Sequence, residues 1–123
     1  MNWLLHLPVP VEFGAGCLAR LDKHLGGAQP ALLVTGRHAM KAAGVTGRVC
    51  DILTSTGGAV QIREDISVEP SYDEIEAAAA SARRFNAEVI TGCGGGSAMD
   101  AAKVVAVAAT HSGSIVERAE GNG

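Results

Sequence analysis

Residues 88–109 read EVITGCGGGSAMDAAKVVAVAA, and they carry the clearest sequence signal of the fold. It predicts a short apolar strand at 88–91, a glycine-rich turn at 92–97 and a helix at 97–109. A strand that runs through such a turn directly into a helix is typical of an α/β domain with a parallel sheet. In these sheets the turn lies at the carboxyl end of the strand, where ligands bind.

The chain before this stretch alternates strands and helices. Residues 31–35 are a continuous apolar run, which suits a parallel strand buried on both faces. Two more strands are predicted, one at 59–63 and one along the extended, proline-interrupted segment 4–13, where proline favours an edge position. Helices are predicted at four places before the glycine-rich turn, namely 17–25, 37–43, 45–56 and after Ser71, which forms a capping box with Glu74. This order predicts a Rossmann-like parallel sheet with helices on both faces.

Length and composition exclude several classes of protein. The chain has 123 residues, 47% of them hydrophobic and 19% charged, which indicates one domain and excludes a disordered chain. The net charge is −3 and basic residues do not cluster with aromatic ones, so we expect no nucleic-acid partner. No apolar run is long enough to span a membrane, and no signal peptide is predicted. The cysteines, Cys17, Cys50 and Cys93, have no CxxC spacing, which favours a reducing cytoplasm.

The glycine-rich turn has the composition of an anion site. Gly94, Gly95 and Gly96 allow backbone N–H groups to approach a ligand, and the following helix offers free N–H groups and the positive end of its dipole. Ser97 can add a hydroxyl or cap the helix through the N–H of Asp100. The turn is neither a Walker A motif nor the usual first-strand dinucleotide fingerprint. Tight packing between strand and helix also selects glycine, and this is the alternative interpretation.

A resemblance to a known family rests on this same stretch. Residues 94–103, GGGSAMDAAK, resemble the GGGSxxDxAK signature of the iron-containing (group III) alcohol dehydrogenases. Four other segments resemble the family in the same order: EFGAG at 12–16, the strand at 31–36, VEPS at 68–71 and EG at 120–121.

The resemblance implies a fold and an activity. Residues 1–123 would be the NAD(P)-binding α/β domain of the dehydroquinate synthase-like fold, truncated before the helical, metal-binding C-terminal domain. The implied reaction transfers hydride between NAD(P)(H) and an alcohol or aldehyde substrate. Fe²⁺ or another divalent metal is expected only in the full-length protein, so this chain alone is expected to be inactive.

The resemblance also implies cofactor-binding residues. The pyrophosphate would lie on Gly94, Gly95, Gly96 and Ser97. Two further signature residues, Asp100 and Lys103, would lie near the site; their alternative interpretation is an exposed i,i+3 ion pair on the helix.

The residues after the strand at 31–35 predict the choice of cofactor. Family members that prefer NAD often carry Asp at this position, whereas this chain has Gly36, followed by Arg37 and His38. Glycine leaves room for a 2′-phosphate and arginine can pair with it. NADP is therefore expected to bind at least as well as NAD, and the alternative is a plain turn with a solvated arginine.

No catalytic or metal-ligating residue is predicted in this chain. Its histidines, His6, His24, His38 and His111, have no HxxxH spacing. Cys93 is interpreted as a small buried thiol, with a redox-sensitive thiol beside the phosphates as the alternative.

Three functions remain open from the sequence. The first is part of an enzyme, an alcohol dehydrogenase or a related maleylacetate reductase or glycerol dehydrogenase. The second is a non-catalytic nucleotide-binding module, and the third is a half-domain that binds nothing. A homodimer that pairs along the edge at residues 9–13 is a further expectation.

Overall fold

Three parallel strands form the centre of the described chain, which comprises residues 2–4, 6 and 8–111 of a computed structural model. The sheet order is β2-β1-β3. The strands are β1 (Ala31–Gly36), β2 (Val60–Ile66) and β3 (Val89–Cys93). The helices are a 3-10 helix (Cys17–His24), α1 (Ala39–Ala42), α2 (Val45–Ser55), α3 (Tyr72–Phe85) and α4 (Gly96–Thr110). The predicted α/β class with a parallel sheet is confirmed.

The central strand β1 is buried on both faces. Leu32 and Val34 pack against α3 and α4, whereas Ala31 and Leu33 pack against α2 and the 3-10 helix. Successive side chains of a strand point to opposite faces, so a continuous apolar run of this kind needs a helical layer on each side. The predicted helices on both faces are therefore confirmed.

The connections after β1 and β3 leave the sheet in opposite directions. β1 leads to α2, which packs with Leu33, while β3 leads to α4, which packs with Leu32 on the other face. Since β1 and β3 are neighbours, their following turns diverge and open a crevice at the carboxyl edge of the sheet. This is the topological switch point at which open α/β sheets bind ligands.

Helix α3 begins as the sequence predicts. The Ser71 hydroxyl accepts from the Glu74 backbone N–H at 3.2 Å, and the Glu74 carboxylate accepts from the Ser71 N–H at 2.8 Å. This pair is a complete capping box. At the other end, Arg83 and Arg84 lie in the last turn and Asn86 takes the left-handed conformation that ends the helix.

The strand predicted within residues 4–13 is wrong. No described residue of this segment lies in a strand, and Phe13 is fully exposed. Alternate residues of a strand direct their N–H groups to the same edge, so Pro8 and Pro10 remove two donors from one edge. Instead, the Glu12 carboxylate binds Arg20 at 3.0 Å and His24 at 3.2 Å and holds the segment against the 3-10 helix.

The first helix lies at the predicted position, but it is a 3-10 helix, which is more tightly wound than an α-helix. Leu18 and Leu21, three residues apart, lie on one side of the 3-10 helix and pack with Leu25 against the α2 face of the sheet. None of the helices in residues 2–4, 6 and 8–111 is long and apolar enough to cross a membrane. The EG pair at 120–121, which carries part of the family resemblance, lies outside the described residues.

Candidate functional site

A cavity of about 520 Å³ lies where the carboxyl ends of the three strands meet. It therefore occupies the crevice that the diverging turns after β1 and β3 create. Its lining comes from the ends of all three strands and the turns that follow them: Gly36, Arg37, His38, Ala39, Met40, Ile66, Ser67, Val68, Gly94, Gly95, Gly96, Ser97 and Ala98.

The cavity brings together two groups of residues that are distant in sequence. The β1 turn, defined as Gly36, Arg37 and His38, lies on one side, and Gly94–Ser97 of the glycine-rich turn lie on the other. These are seven of the nine residues predicted to bind a cofactor.

The other two predicted residues, Asp100 and Lys103, do not line the cavity. They form an i,i+3 ion pair at 3.7 Å on α4, with side chains 77% and 79% exposed. Their position matches the alternative interpretation given for them, a solvated pair on a helix surface.

Two glycines of the turn have a structural reason to be glycine. A Cβ at Gly92 would lie 2.7 Å from the Cβ of Ala102, so α4 can approach β3 only because this side chain is missing. Gly94 has a φ of +141°, which L side chains rarely adopt, and a Cβ there would lie 3.1 Å from the Cβ of Ala98. Packing explains these two positions without any ligand.

Gly95 and Gly96 have no such reason. Gly95 has an ordinary extended backbone with a φ of −79°, and Gly96 is the first residue of α4. A Cβ at either residue would meet no atom of the described residues within 4 Å. Both nevertheless line the cavity, so the missing side chains leave bare backbone facing open space.

The amino terminus of α4 meets the cavity at this bare backbone. Its N-cap, Gly95, has no side chain, and the helical hydrogen bonds begin with the Met99 N–H donating to the Gly95 carbonyl at 3.1 Å. The N–H groups of the first turn therefore have no intrahelical acceptor. The Ser97 hydroxyl donates to the Val68 carbonyl across the cavity rim and does not cap α4.

The charge at the cavity is positive. Arg37 is exposed and forms no ion pair or hydrogen bond with the residues that the structure describes. Among the described residues that line the cavity, none is acidic. An unpaired guanidinium and the positive end of the α4 dipole therefore face the same space, which favours an anion.

The third wall, called the β2 wall, comes from the end of β2, and none of its residues was predicted from the sequence to bind a ligand. Ile66, Ser67 and Val68 line the cavity beside the glycine-rich turn. Their place depends on β2 lying next to β1, and strand order is a property of the tertiary fold. The apolar Ile66 in front of the VEPS segment was the one local signal.

A carboxylate behind this wall holds it in place. Glu74 accepts hydrogen bonds from the Ser67 N–H at 3.1 Å, from the Ser67 hydroxyl at 2.8 Å and from the Ser71 N–H at 2.8 Å. The bond from the Ser71 N–H has the largest effect on the pKa of Glu74. Together with the bonds from Ser67, it lowers this pKa from 4.5 to about 2. The side chain is therefore a carboxylate at any physiological pH.

Cys93 lies at the end of β3 and outside the cavity lining. It packs against the cluster formed by Leu33, Val49 and Leu53, and burial raises the pKa of its thiol. Both observations favour the interpretation as a small, partly buried thiol. Within residues 2–4, 6 and 8–111, no three His, Cys, Asp or Glu side chains are grouped so that they could hold a metal ion.

Comparison with known proteins identifies the family of this chain. The sequence model of the family described as iron-containing alcohol dehydrogenase matches residues 8–123. The chain belongs to this family. The resemblance seen in the GGGSAMDAAK signature is thereby confirmed.

Two curated relatives illustrate the similarity to known enzymes. The NADPH-dependent butanol dehydrogenase of Clostridium saccharobutylicum is 34% identical over 105 residues, which are 85% of this chain and 26% of that protein. The NADPH-dependent aldehyde reductase YqhD of Escherichia coli is 30% identical over 110 residues, 89% of this chain and 28% of that protein.

A solved structure has a closely similar fold. The NADH-dependent butanol dehydrogenase A of Thermotoga maritima superposes with a TM-score of 0.90 and 27% sequence identity, over 99% of this chain and 31% of that one. The chain thus spans about a quarter to a third of the length of these relatives.

Proposed function

We propose that this chain is the dinucleotide-binding portion of an NAD(P)-dependent alcohol dehydrogenase or aldehyde reductase. The observation that carries the proposal is the bare backbone at Gly95 and Gly96. Neither packing nor backbone conformation requires glycine at these two positions, whereas a phosphate that approaches the backbone does.

The pyrophosphate would lie on the glycine-rich turn. The free N–H groups of the first turn of α4 donate to phosphate oxygens, and the helix dipole favours the negative charge. Gly94 lets the chain turn into this position, and Ser97 holds the turn to the Val68 carbonyl. The dinucleotide supplies hydride chemistry when bound, and these residues bind and orient it.

The β1 turn would bind the ribose end of the cofactor and favour NADP. Gly36 has no side chain to exclude a 2′-phosphate, and the unpaired Arg37 and the neighbouring His38 line the same wall. The names of the relatives include both NADPH-dependent and NADH-dependent enzymes, so they do not decide between the cofactors. The proposed preference therefore rests on the charge of this turn, and NADP is expected to bind at least as well as NAD.

The metal site and the substrate pocket would belong to other parts of the full-length protein. The described residues offer no group of three metal-ligating side chains, so we assign no metal-dependent step to them. A small alcohol or aldehyde is the proposed substrate of the whole enzyme. All three cysteines are free thiols, which supports a cytoplasmic location.

Thermal unfolding with added cofactor tests the proposal. A ligand that binds only the folded state at a hundred times its Kd adds about 2.7 kcal/mol of stability, which raises the midpoint by several degrees. We expect NADP and NAD both to raise the midpoint of the 123-residue chain, with no turnover of alcohol or aldehyde. No shift with either cofactor at millimolar concentration would overturn the proposal and favour a half-domain that binds nothing.

A further inference from the structure

Glu74 does more than cap its own helix. In a capping box the Glu74 carboxylate accepts one bond, from the Ser71 backbone N–H, while the Ser71 hydroxyl accepts the other, from the Glu74 N–H. Here the same carboxylate also accepts two bonds from Ser67, which lies seven residues earlier in the wall of the cavity. The side chain therefore joins the start of α3 to the end of β2.

The link continues along the rim of the cavity to the glycine-rich turn. Ser67 is followed directly by Val68, whose carbonyl accepts a hydrogen bond from the Ser97 hydroxyl in the glycine-rich turn. A connected path of hydrogen bonds and one peptide unit thus runs from Glu74 through the β2 wall to the amino terminus of α4. Apart from Ser97, nothing in this path belongs to the family signature.

The exposure of this wall makes the link important. Ile66 is buried in the core, but after it Ser67 is half-buried and Val68 is 83% exposed, so apolar packing contributes little to the position of Ser67 and Val68. A loop with few buried apolar contacts samples several positions unless hydrogen bonds fix it. The carboxylate of Glu74 supplies three such bonds to two residues of the loop.

We propose that Glu74 is a positioning residue of the dinucleotide site, which holds the Ser67–Val68 wall against the glycine-rich turn. This inference rests on the proposed function, since it concerns the same cavity. Glu74 itself does not line the cavity, so its effect on binding would be indirect.

The test compares three variants of the 123-residue chain by calorimetric titration with NADP and NAD, well below each unfolding midpoint. Glu74→Gln replaces the carboxylate by a neutral amide with a single acceptor oxygen, which cannot accept the bonds from both Ser67 and Ser71. We expect both cofactors to bind about tenfold more weakly, because displacement of the wall lowers affinity although Glu74 itself does not touch the ligand. Ser71→Ala removes the hydroxyl that caps Glu74 and leaves the Glu74–Ser67 bonds in place. It should lower the unfolding midpoint and leave both affinities near wild type.

Asp73→Asn is the control for charge. It removes a carboxylate from the same first turn of α3 and should change neither affinity by more than about twofold, since a surface charge on this turn acts only weakly. If Glu74→Gln fails to fold, Ser67→Ala is the substitute, because it breaks one bond of the wall and spares the capping box. Ser67→Thr keeps a hydroxyl at this position. If it binds the cofactors like wild type while Ser67→Ala does not, the lost hydrogen bond explains the loss of affinity, and the altered cavity lining does not.

The outcomes separate this inference from the function on which it rests. If the wild-type chain binds neither cofactor, the proposed function is wrong. If the wild type binds and folded Glu74→Gln binds equally well, only the positioning role is wrong. An equal loss of affinity in Ser71→Ala would assign the effect to the helix cap and would also overturn the inference.

Discussion

The two turns that face each other across the cavity prepare it for an anion by opposite means. The glycine-rich turn has no side chain at Gly95 and Gly96 and presents backbone and a helix terminus. The β1 turn presents the side chains of Arg37 and His38 from an exposed segment. Backbone N–H groups bind any phosphate close to the chain, whereas a side-chain cation adds affinity only where a ligand carries an extra charge. The first turn should therefore decide whether a dinucleotide binds, and the second which one.

The largest effect is expected from a side chain placed on the bare backbone. Gly96→Leu puts bulk beside the cavity at a helical position where leucine is favourable, so stability should be unchanged or slightly higher. Binding of both cofactors should weaken about tenfold to a hundredfold, because overpacking costs about 1–3 kcal/mol and each tenfold in Kd is about 1.4 kcal/mol. Titration calorimetry and thermal unfolding measure the two effects separately.

Gly92→Ala is the matched control within the same turn. Its Cβ would lie 2.7 Å from the Cβ of Ala102, so α4 must move away from β3 at a cost of about 1–3 kcal/mol in stability. The unfolding midpoint should fall while the folded fraction still binds cofactor. If Gly96→Leu binds like wild type, the glycine-rich turn is not the anion site, and only its packing role remains.

A smaller and selective effect is expected from the β1 turn. Arg37→Ala should weaken NADP binding about tenfold, since a hydrogen bond to a charged group is worth about 1.5–3 kcal/mol and this residue is exposed. NAD has no 2′-phosphate, so its Kd should stay the same. The loss should also shrink at high salt, because exposed charges are screened.

Arg48→Ala controls for the loss of one positive charge. Arg48 is exposed on α2 and does not line the cavity, so neither affinity should change. Clearly tighter NAD binding by the wild type, together with an Arg37→Ala variant that binds NADP unchanged, would contradict the role given to the β1 turn.

Local sequence signals predicted those parts of the fold and site that depend on neighbouring residues. Each of these parts depends on only a few adjacent residues: the apolar run of β1, the Ser71–Glu74 capping box and the turn between β3 and α4. The strand predicted within residues 4–13 is wrong because an alternating pattern does not show that a neighbouring strand is available for pairing. In addition, Pro8 and Pro10 have no backbone N–H group to donate to such a strand.

The β2 wall could not be predicted because it depends on tertiary arrangement. β2 was expected to end at residue 63, but it continues to Ile66 through a register shift opposite Val34–Gly36. Such a bulge interrupts the alternation that marks a strand. The same limit applies to Asp100 and Lys103: their spacing is that of the family signature, but only the direction in which α4 leaves the sheet shows that they lie outside the cavity.

The smallest expected effect concerns Cys93, which lies between the two structural glycines of the turn. Its thiol is partly buried with a raised pKa and faces the α2 side of the sheet, away from the cavity. Because the thiolate is the reactive form, alkylation by iodoacetamide at pH 7–8 should be slow and should accelerate as the pH rises toward and beyond 9.

Saturating NADP should change this rate of Cys93 alkylation by less than about twofold, since a ligand shields only the atoms that it covers. Mass spectrometry of the Cys93 peptide over time measures the rate of alkylation. The rate for the same cysteine in the denatured chain gives the upper limit. Rapid labelling at pH 7 with strong protection by NADP would instead identify a reactive thiol beside the phosphates and would extend the anion site from the backbone of the turn to the Cys93 side chain.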